Sequence, residues 1–246
     1  ASMPISLLGQ PTMTIPARIT LIQQETPTVK SIYFDVRGQA FSFLPGQWVD
    51  CYTEIEGKLQ VAGYSLVSSS LMKGTIALAI KGIGSNPVTR FLYERATVGD
   101  TVDIAGGQGN FYYTRNMGDS LILIGGGIGI TPLMSILHYV DEATSDVKAT
   151  LLYSAKTPSE LLFRNRLDAI AQRNKRIRYF LTVTGKTTDE WRGRVGRIDA
   201  QLIEEVQPNQ NILCYICGPP TMVDGIPSLL HGLSIPDSNI KSERWW

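Results

Sequence analysis

The chain has 246 residues, 43% of them hydrophobic, which is enough for one large domain or two modest domains with separate cores. Charged residues make up 18% and the formal net charge is +1, so no overall field attracts nucleic acid or an anionic membrane. The three cysteines are too few for a disulfide scaffold, and this usage is typical of a reducing compartment.

Six short runs rich in Val, Ile, Thr and aromatic residues predict strands in the first half of the chain. They cover residues 17–24, 29–36, 48–55, 64–68, 75–80 and 100–104. Turn residues separate the runs, and a short helix is predicted at 88–94, after Pro87. Strands of this length and spacing predict an antiparallel barrel or sandwich.

From residue 118 onward, apolar runs typical of buried strands alternate with amphipathic stretches. The predicted strands are 121–124, 149–153, 178–184 and 212–216, and the predicted helices are 132–140, 160–172, 199–206 and 222–230. This alternation predicts βαβ units and a doubly wound α/β parallel sheet. We place the boundary near residues 113–116, which gives domains at 1–115 and 116–246.

The stretch 120–140 contains no charged residue and is long enough to resemble a membrane span. Its glycines and Pro132 interrupt it, which favours a buried strand, loop and helix. The N-terminus also lacks the basic start and long apolar core of a secretory leader. We therefore expect a soluble intracellular protein without a membrane span, in the cytoplasm or the mitochondrial matrix.

A glycine loop at 125–132, Gly-Gly-Gly-Ile-Gly-Ile-Thr-Pro, joins a predicted strand to a predicted helix. Glycines let the backbone approach a pyrophosphate closely, and a helix N-terminus offers N–H groups and partial positive charge to phosphate. Thr131 suits an N-cap and Pro132 the first helical position. We predict that this loop binds a dinucleotide through Gly127, Gly129, Ile130, Thr131 and Pro132. A tight turn without a ligand is the alternative.

The residues after the second predicted strand of the α/β domain bear on the choice of dinucleotide. NAD sites often place an acid there to bind the ribose 2′-hydroxyl, and this chain has none. Ser154, Lys156 and Arg164 could instead hold a 2′-phosphate, which favours NADPH over NADH. Lys156 and Arg164 could equally be solvated surface groups.

Cys214 and Cys217 have the C-x-x-C spacing found in many metal sites. A structural zinc needs four ligands, and the two histidines, His138 and His231, lie far away in sequence. An iron–sulfur cluster needs more thiolates than three cysteines supply. We therefore expect no metal site.

Six segments, in this order, resemble the ferredoxin–NADP reductase family. They are Pro45-Gly46-Gln47-Trp48-Val49, Tyr64-Ser65-Leu66, Gly107-Gln108-Gly109-Asn110-Phe111, the glycine loop, Cys217-Gly218-Pro219-Pro220 and Glu243-Arg244-Trp245-Trp246. The ending is also similar to those of small oxidoreductase NAD-binding-domain-containing proteins and of bacterial flavin and oxygenase reductases. The resemblance covers nearly the whole chain and implies a six-stranded antiparallel flavin barrel packed on a five-stranded parallel nucleotide domain that follows it in the chain.

The resemblance implies roles for residues of the barrel. It places Tyr64 along the flavin ring, the Ser65 hydroxyl near the flavin N5, and Leu66 beside them. It also implies that one strand presents its backbone to the ribityl or adenosine part of the flavin, and that one turn binds the flavin phosphates. The strand residues are Ala79, Ile80 and Lys81, and the turn residues are Asn86, Pro87, Val88 and Thr89.

On the nucleotide side, the resemblance implies that Cys217 lies near the nicotinamide C4. Gly218, Pro219 and Met222 surround the same ligand, and Trp246 stacks near the isoalloxazine ring. The segment follows a predicted strand, and open α/β sheets bind ligands at such carboxyl ends. A buried core thiol is the alternative for Cys217, and a protein pocket is the alternative for the tryptophan.

Two positions depart from the family pattern. Ala62 stands where an Arg usually pairs with the flavin phosphates, and Asn86 stands where Gly is usual. Loss of a charge-assisted hydrogen bond weakens binding by roughly 1.5–3 kcal/mol. Lys81 or Arg90 could compensate; otherwise the flavin is FMN, is weakly held or is absent.

The resemblance implies a flavin-dependent NAD(P)H oxidoreductase. Hydride passes from NADPH or NADH to bound FAD, with Ser65 and Cys217 as catalytic residues. Electrons then pass to a separate acceptor, which is a redox protein, a free flavin or a small molecule. The alternative is a flavin-poor accessory or electron-transfer subunit of a larger redox complex, which binds nucleotide without turnover of its own.

Overall fold

Strands with alternating burial form the first sheet of the computed structural model, which describes residues 13–188 and 190–244. In β1, for example, Ile15, Ala17 and Ile19 are buried and the residues between them are exposed, because successive side chains of a strand point to opposite faces. The six strands are β1 (Ile15–Thr26), β2 (Val29–Asp35), β3 (Trp48–Ile55), β4 (Lys58–Ser65), β5 (Thr75–Lys81) and β6 (Thr101–Gln108).

The first sheet is antiparallel throughout, in the order β4-β3-β6-β1-β2-β5. A bridge between Leu66 and Leu78 joins the end of β4 to β5 and closes the sheet into a barrel. Helix α1 (Pro87–Arg90) continues into one π-helical turn at Phe91–Arg95, and its Val88 and Leu92 pack into the barrel core. The predicted six-stranded antiparallel barrel is confirmed.

The strand predicted at 64–68 begins earlier, at Lys58, and ends at Ser65. Glu56 and Gly57 both have positive φ, at 53° and 73°, and form the two-residue hairpin turn that joins β3 to β4. Such a turn fixes the register of both strands, so polar residues such as Lys58 and Gln60 pair in the ladder. The sequence pattern missed them because they lack β-branched or aromatic side chains.

The second sheet is parallel throughout, in the order β10-β9-β8-β7-β11-β12. Helices on the crossovers cover it, as the doubly wound prediction requires. Its strands are β7 (Ser120–Gly126), β8 (Lys148–Ala155), β9 (Ile177–Val183), β10 (Arg194–Val195), β11 (Leu213–Gly218) and β12 (Ile240–Arg244). Its helices are α2 (Ile130–Ala143), α3 (Arg164–Arg173), α4 (Ala200–Glu204) and α5 (Pro220–Gly232).

The second sheet has one strand more than the five that the resemblance implies. The additional strand is the two-residue β10, which pairs with the end of β9. The polar strand β12 lies at the opposite edge and also lacked an apolar pattern in the sequence. Edge strands are solvated on one side, so hydrophobic patterning detects them poorly.

The uncharged stretch 120–140 folds as β7, the glycine loop and the first turns of α2, as predicted. The stretch is apolar because the first eight residues of α2, from Ile130 to Leu137, are all buried. A helix buried on most sides is apolar all round. In the described part of the chain, no helix is long and apolar enough to cross a membrane.

The two sheets share a packed interface. Val29, Ala77 and Ala79 of the barrel belong to the same buried cluster as α2 and residues 161–163. Arg166 adds a hydrogen-bonded ion pair to Glu25, with N and O 2.7 Å apart. The first sheet ends at residue 108 and the second begins at residue 120. A boundary near residues 113–116 stays a prediction.

Candidate functional site

The parallel sheet has a topological switch point between β7 and β11. From β7 the chain crosses over to β8 on one side, and from β11 it crosses over to β12 on the other side. The loops that leave the two carboxyl ends therefore diverge and open a crevice, which is where open α/β sheets bind ligands. The glycine loop leaves β7 here, and Cys217 and Gly218 end β11.

Glycines bring these two loops into contact. A Cβ at Gly129 would lie 2.2 Å from the carbonyl oxygen of Cys217, and one at Gly126 would lie 2.8 Å from the Cδ of Pro219. Gly127 has a different role, because its φ is 56° and no atom would lie within 4 Å of its Cβ. It faces open space, so a ligand can approach its backbone.

A cleft of about 980 Å³ extends from this crevice to the barrel. The barrel contributes one wall with Thr26, Thr28, Val29, Lys81 and Ile83. Eight of the predicted site residues line the cleft together, and these are Lys81, Gly127, Gly129, Ser154, Lys156, Gly218, Pro219 and Met222. A ligand in the cleft therefore borders both domains.

Helix α2 begins at Ile130, two residues before the predicted start. Gly129 is its N-cap, and Thr131 lies inside the helix, where its hydroxyl donates to the carbonyl of Ile128 (3.0 Å). The prediction of Thr131 as N-cap and Pro132 as first helical residue is therefore wrong by two positions. No side chain caps this 14-residue helix, and the Ile130 N–H donates to the carbonyl of Gly127 in the 3-10 turn that leads into it.

The structure brings two of the three residues proposed for a 2′-phosphate, Ser154 and Lys156, to the cleft. Lys156 is exposed in the cleft, whereas Ser154 is buried with its hydroxyl 3.5 Å from the carbonyl of Gly125. Arg164 does not line the cleft; its guanidinium lies over the Trp191 ring, 5.7 Å from the centroid. The structure therefore does not place Arg164 in the cleft with Lys156, and its role in binding a 2′-phosphate stays a prediction.

Sequence reasoning missed Arg197 and Thr184, which line the cleft beside Lys156. Thr184 follows β9, and Arg197 follows the two-residue strand β10. The rule that ligands bind at carboxyl strand ends would have found Thr184 once β9 was predicted. Arg197 could not be found in this way, because β10 is too short to predict.

On the barrel side, Tyr64 and Ser65 lie at the end of β4. The Tyr64 hydroxyl lies 2.8 Å from the Thr89 hydroxyl, and burial raises the pKa of Tyr64 well above its usual range. The Ser65 hydroxyl is buried and has no hydrogen-bond partner among the described residues. A buried polar group without a partner is costly, so this hydroxyl fits a partner atom from a bound ring such as flavin.

The turn assigned to the flavin phosphates is occupied by its own side chain. The side-chain oxygen Oδ1 of Asn86 accepts hydrogen bonds from the backbone N–H groups of Val88 (2.9 Å) and Thr89 (3.2 Å). The Val88 side chain is fully buried in the barrel core, so it cannot contact a ligand. Phosphate binding by this turn stays a prediction, and in the structure Asn86 acts as the N-cap of α1. Lys81 lines the cleft, whereas Arg90 pairs with Glu94 at 3.8 Å.

Backbone direction along β5 decides which residues of that strand can meet a ligand. The backbone groups of Ala77 point away from β2, because its carbonyl accepts from the Val67 N–H (2.9 Å) and its N–H donates to the Ser68 hydroxyl (3.0 Å). The direction of the backbone groups alternates along a strand, so those of Ala79 also point away from β2. Ile80 turns to β2 instead, and its side chain is fully buried. Ile80 is therefore removed from the proposed site.

Cys217 is buried at the carboxyl end of β11, against Gly129. Cys214 lies three residues earlier in the same strand, inside the core, where burial raises the pKa of its thiol to about 12. Among the residues that the structure describes, no group of three His, Cys, Asp or Glu side chains could hold a metal ion. Trp246, predicted to stack on the flavin, lies outside the described residues.

Comparisons with known proteins agree with this architecture. Residues 16–113 match the family model of the oxidoreductase FAD-binding domain, and residues 123–227 match that of the oxidoreductase NAD-binding domain. Oxidoreductase NAD-binding domain-containing protein 1 of Danio rerio is 35% identical over 94% of this chain and 91% of its own length. The glycine betaine monooxygenase reductase subunit of Chromohalobacter salexigens is 26% identical over 93% of this chain and 63% of its own length.

A solved structure shows the same fold. The cytochrome b5 reductase domain of Ulva prolifera nitrate reductase superposes with a TM-score of 0.83, at 21% identity, over 95% of this chain and 98% of that domain. Both domain matches follow the order of the two sheets. The molecule is thus an NAD(P)H-dependent flavoprotein reductase with FAD and a nicotinamide nucleotide as its cofactors, and its fold is that of the ferredoxin–NADP reductases. Within this class, the chain belongs to the family of oxidoreductase NAD-binding domain-containing proteins.

Proposed function

We propose that the protein passes hydride from NADPH to FAD bound against the barrel and delivers the electrons to a separate acceptor. One observation carries this proposal: the cleft at the switch point is walled by both domains. A nucleotide bound there borders the barrel that holds the flavin. Proximity of the two reacting rings supplies most of what a protein must add to this chemistry.

Different residues of the chain bind and position the two cofactors. The glycine loop and the N-terminus of α2, which has no side-chain cap, bind the pyrophosphate of the dinucleotide. Cys217 and Gly218, at the end of β11, position the nicotinamide end, and the Ser65 hydroxyl holds the flavin ring. Bound FAD supplies the capacity to accept a hydride and to release electrons one or two at a time.

The cleft supports NADPH as the preferred donor. Lys156 and Arg197 both line it and are exposed, and neither forms an ion pair within the described part of the chain. Two free cations offer a 2′-phosphate charge-assisted hydrogen bonds. Glu160 lines the same cleft and could bind a ribose hydroxyl, which is why NADH stays the weaker alternative.

The acceptor is proposed from the relatives. One of them is a reductase subunit of a monooxygenase, and we propose a separate redox protein of this kind as the acceptor here. A free flavin or a small oxidant is the alternative. Because Asn86 occupies the phosphate turn, a flavin-poor subunit that binds nucleotide without turnover is the second candidate function.

Paired cysteine variants and a serine variant test the proposed function. We expect Cys217→Ala and Ser65→Ala to lower NADPH turnover with ferricyanide by about tenfold or more, which is a barrier increase of about 1.4 kcal/mol. Cys214→Ala is the matched control, since it truncates a buried thiol on the same strand away from the cleft. Equal turnover of all variants, or absence of turnover in the FAD-loaded wild type, would refute the proposal.

A further inference from the structure

Tyr153 lies fully buried near the end of β8, beneath the glycine loop. Its hydroxyl donates a hydrogen bond to the carbonyl of Gly127 (3.0 Å) and accepts one from the backbone N–H of Leu162 (3.2 Å). Burial raises the pKa of Tyr153, so the hydroxyl keeps its proton and remains a donor. One side chain therefore joins two loops that lie far apart in sequence.

The bond to Gly127 fixes the part of the glycine loop that faces the cleft. Gly127 has φ of 56° and no neighbour within 4 Å on its side-chain side, so packing does not hold it from above. A glycine in open space has many accessible conformations. The Tyr153 hydroxyl restrains the Gly127 carbonyl from below and so restricts the loop before a ligand arrives.

The bond to Leu162 reaches the interface with the barrel. Leu162 and Phe163 belong to the buried cluster that includes Val29 and Ala79 of the barrel. Phe163 has a positive φ of 61°, a conformation that non-glycine residues rarely adopt. Three residues later, Arg166 donates to Glu25 (2.7 Å) and to the Tyr33 hydroxyl (2.8 Å) of the barrel.

We propose that Tyr153 is a positioning residue for the dinucleotide: its hydroxyl sets the Gly127 backbone for the pyrophosphate and ties that loop to the segment that contacts the flavin barrel. The proposal rests on nucleotide binding at the glycine loop. Tyr153 itself does not contact the reacting atoms; it acts through Gly127. A purely structural role would lower stability without a selective effect on the nucleotide.

The test replaces Tyr153 by Phe, which keeps the ring and removes the hydroxyl. We expect the Kd and KM for NADPH to rise about three- to tenfold, with kcat and the Kd for FAD changed less than about twofold. Tyr215→Phe is the matched control, because Tyr215 is equally buried in β11 and its hydroxyl donates to the Tyr112 carbonyl (2.8 Å). We expect Tyr215→Phe to leave the Kd for NADPH unchanged.

An unchanged NADPH Kd in Tyr153→Phe, or an equal rise in Tyr215→Phe, would overturn the proposal. Amide hydrogen exchange gives a second test, and because Leu162 itself lines the cleft, the comparison is between the wild type and Tyr153→Phe. We expect NADPH to slow exchange of the Leu162 N–H more in the wild type than in Tyr153→Phe, and equal slowing in both would count against the proposal. NADPH binding is measured without turnover. A wild type that binds NADPH but leaves FAD oxidised would therefore contradict the proposed function and not the proposal for Tyr153.

Discussion

Gly129 shows at the scale of one residue how the site depends on close backbone contact. A methyl group at this position would lie 2.2 Å from the Cys217 carbonyl oxygen, and neither strand end can move without shifting the sheet. The glycine pattern of the sequence predicted a dinucleotide-binding loop, and the structure places Gly127 and Gly129 of that loop in the lining of the cleft. The pattern could not separate Gly129, which packs loop against strand, from Gly127, which faces the ligand space.

We predict that Gly129→Ala destabilises the fold by about 1–3 kcal/mol, the usual cost of overpacking, and weakens NADPH binding. Gly232→Ala is the control, since a Cβ there at the end of α5 meets no atom within 4 Å. Urea unfolding and NADPH titration measure both effects. Equal stabilities of the two variants would show that the tight contact is not rigid.

The predicted preference for NADPH over NADH depends on Lys156 and Arg197. We expect Lys156→Gln and Arg197→Gln each to raise the KM for NADPH by about tenfold, equivalent to about 1.4 kcal/mol, and to leave the KM for NADH nearly unchanged. Lys148→Gln removes an exposed lysine at the opposite end of β8 and serves as the control. If the KM for both nucleotides rises together, the two cations do not recognise the 2′-phosphate.

At the scale of an element, the short helix α1 and its Asn86 cap set the flavin site apart from the family pattern. The Asn86 side chain already satisfies two amides that a phosphate would use, and Ala62 brings no charge. Thr89 is bonded to Tyr64 rather than free. We therefore expect these elements to hold the flavin phosphates more weakly than the barrel holds the flavin ring.

We predict that Ala62→Arg tightens FAD binding by roughly tenfold, through a new charge-assisted hydrogen bond worth at least about 1.4 kcal/mol. Binding of riboflavin, which has no phosphate, stays unchanged in the same variant and is the control. Fluorescence quenching of each flavin measures the Kd. If the variant bound riboflavin more tightly as well as FAD, the added affinity would come from the flavin ring, which would contradict a contact to the FAD phosphates.

Elements with strong apolar patterns were predictable from the sequence, and those without were not. Strands β7 and β8 are buried on both faces, so their runs of Leu and Ile were plain in the sequence. Strands β10 and β12 lie at sheet edges and are charged, and hydrophobic periodicity does not detect them. The loss of β10 from the prediction also hid Arg197, which follows it.

At the scale of the whole molecule, packing between the domains creates the site. The cleft exists because the outer face of β2 and β5 packs on α2 and on residues 161–163, and because Arg166 reaches the barrel. Contacts of this kind join residues far apart in the chain, 141 positions in the case of Arg166 and Glu25, and a single sequence contains no local pattern for them. Only the resemblance to a known family predicted that the two domains meet.

The central claim is that NADPH in the cleft delivers hydride to FAD across this interface. Anaerobic mixing of the FAD-loaded wild-type protein with one equivalent of NADPH, followed by flavin absorbance, tests it most directly. We predict loss of the oxidised flavin bands with one FAD reduced per NADPH consumed. If NADPH binds at saturation and the flavin spectrum stays oxidised, the two rings do not meet and the account is wrong.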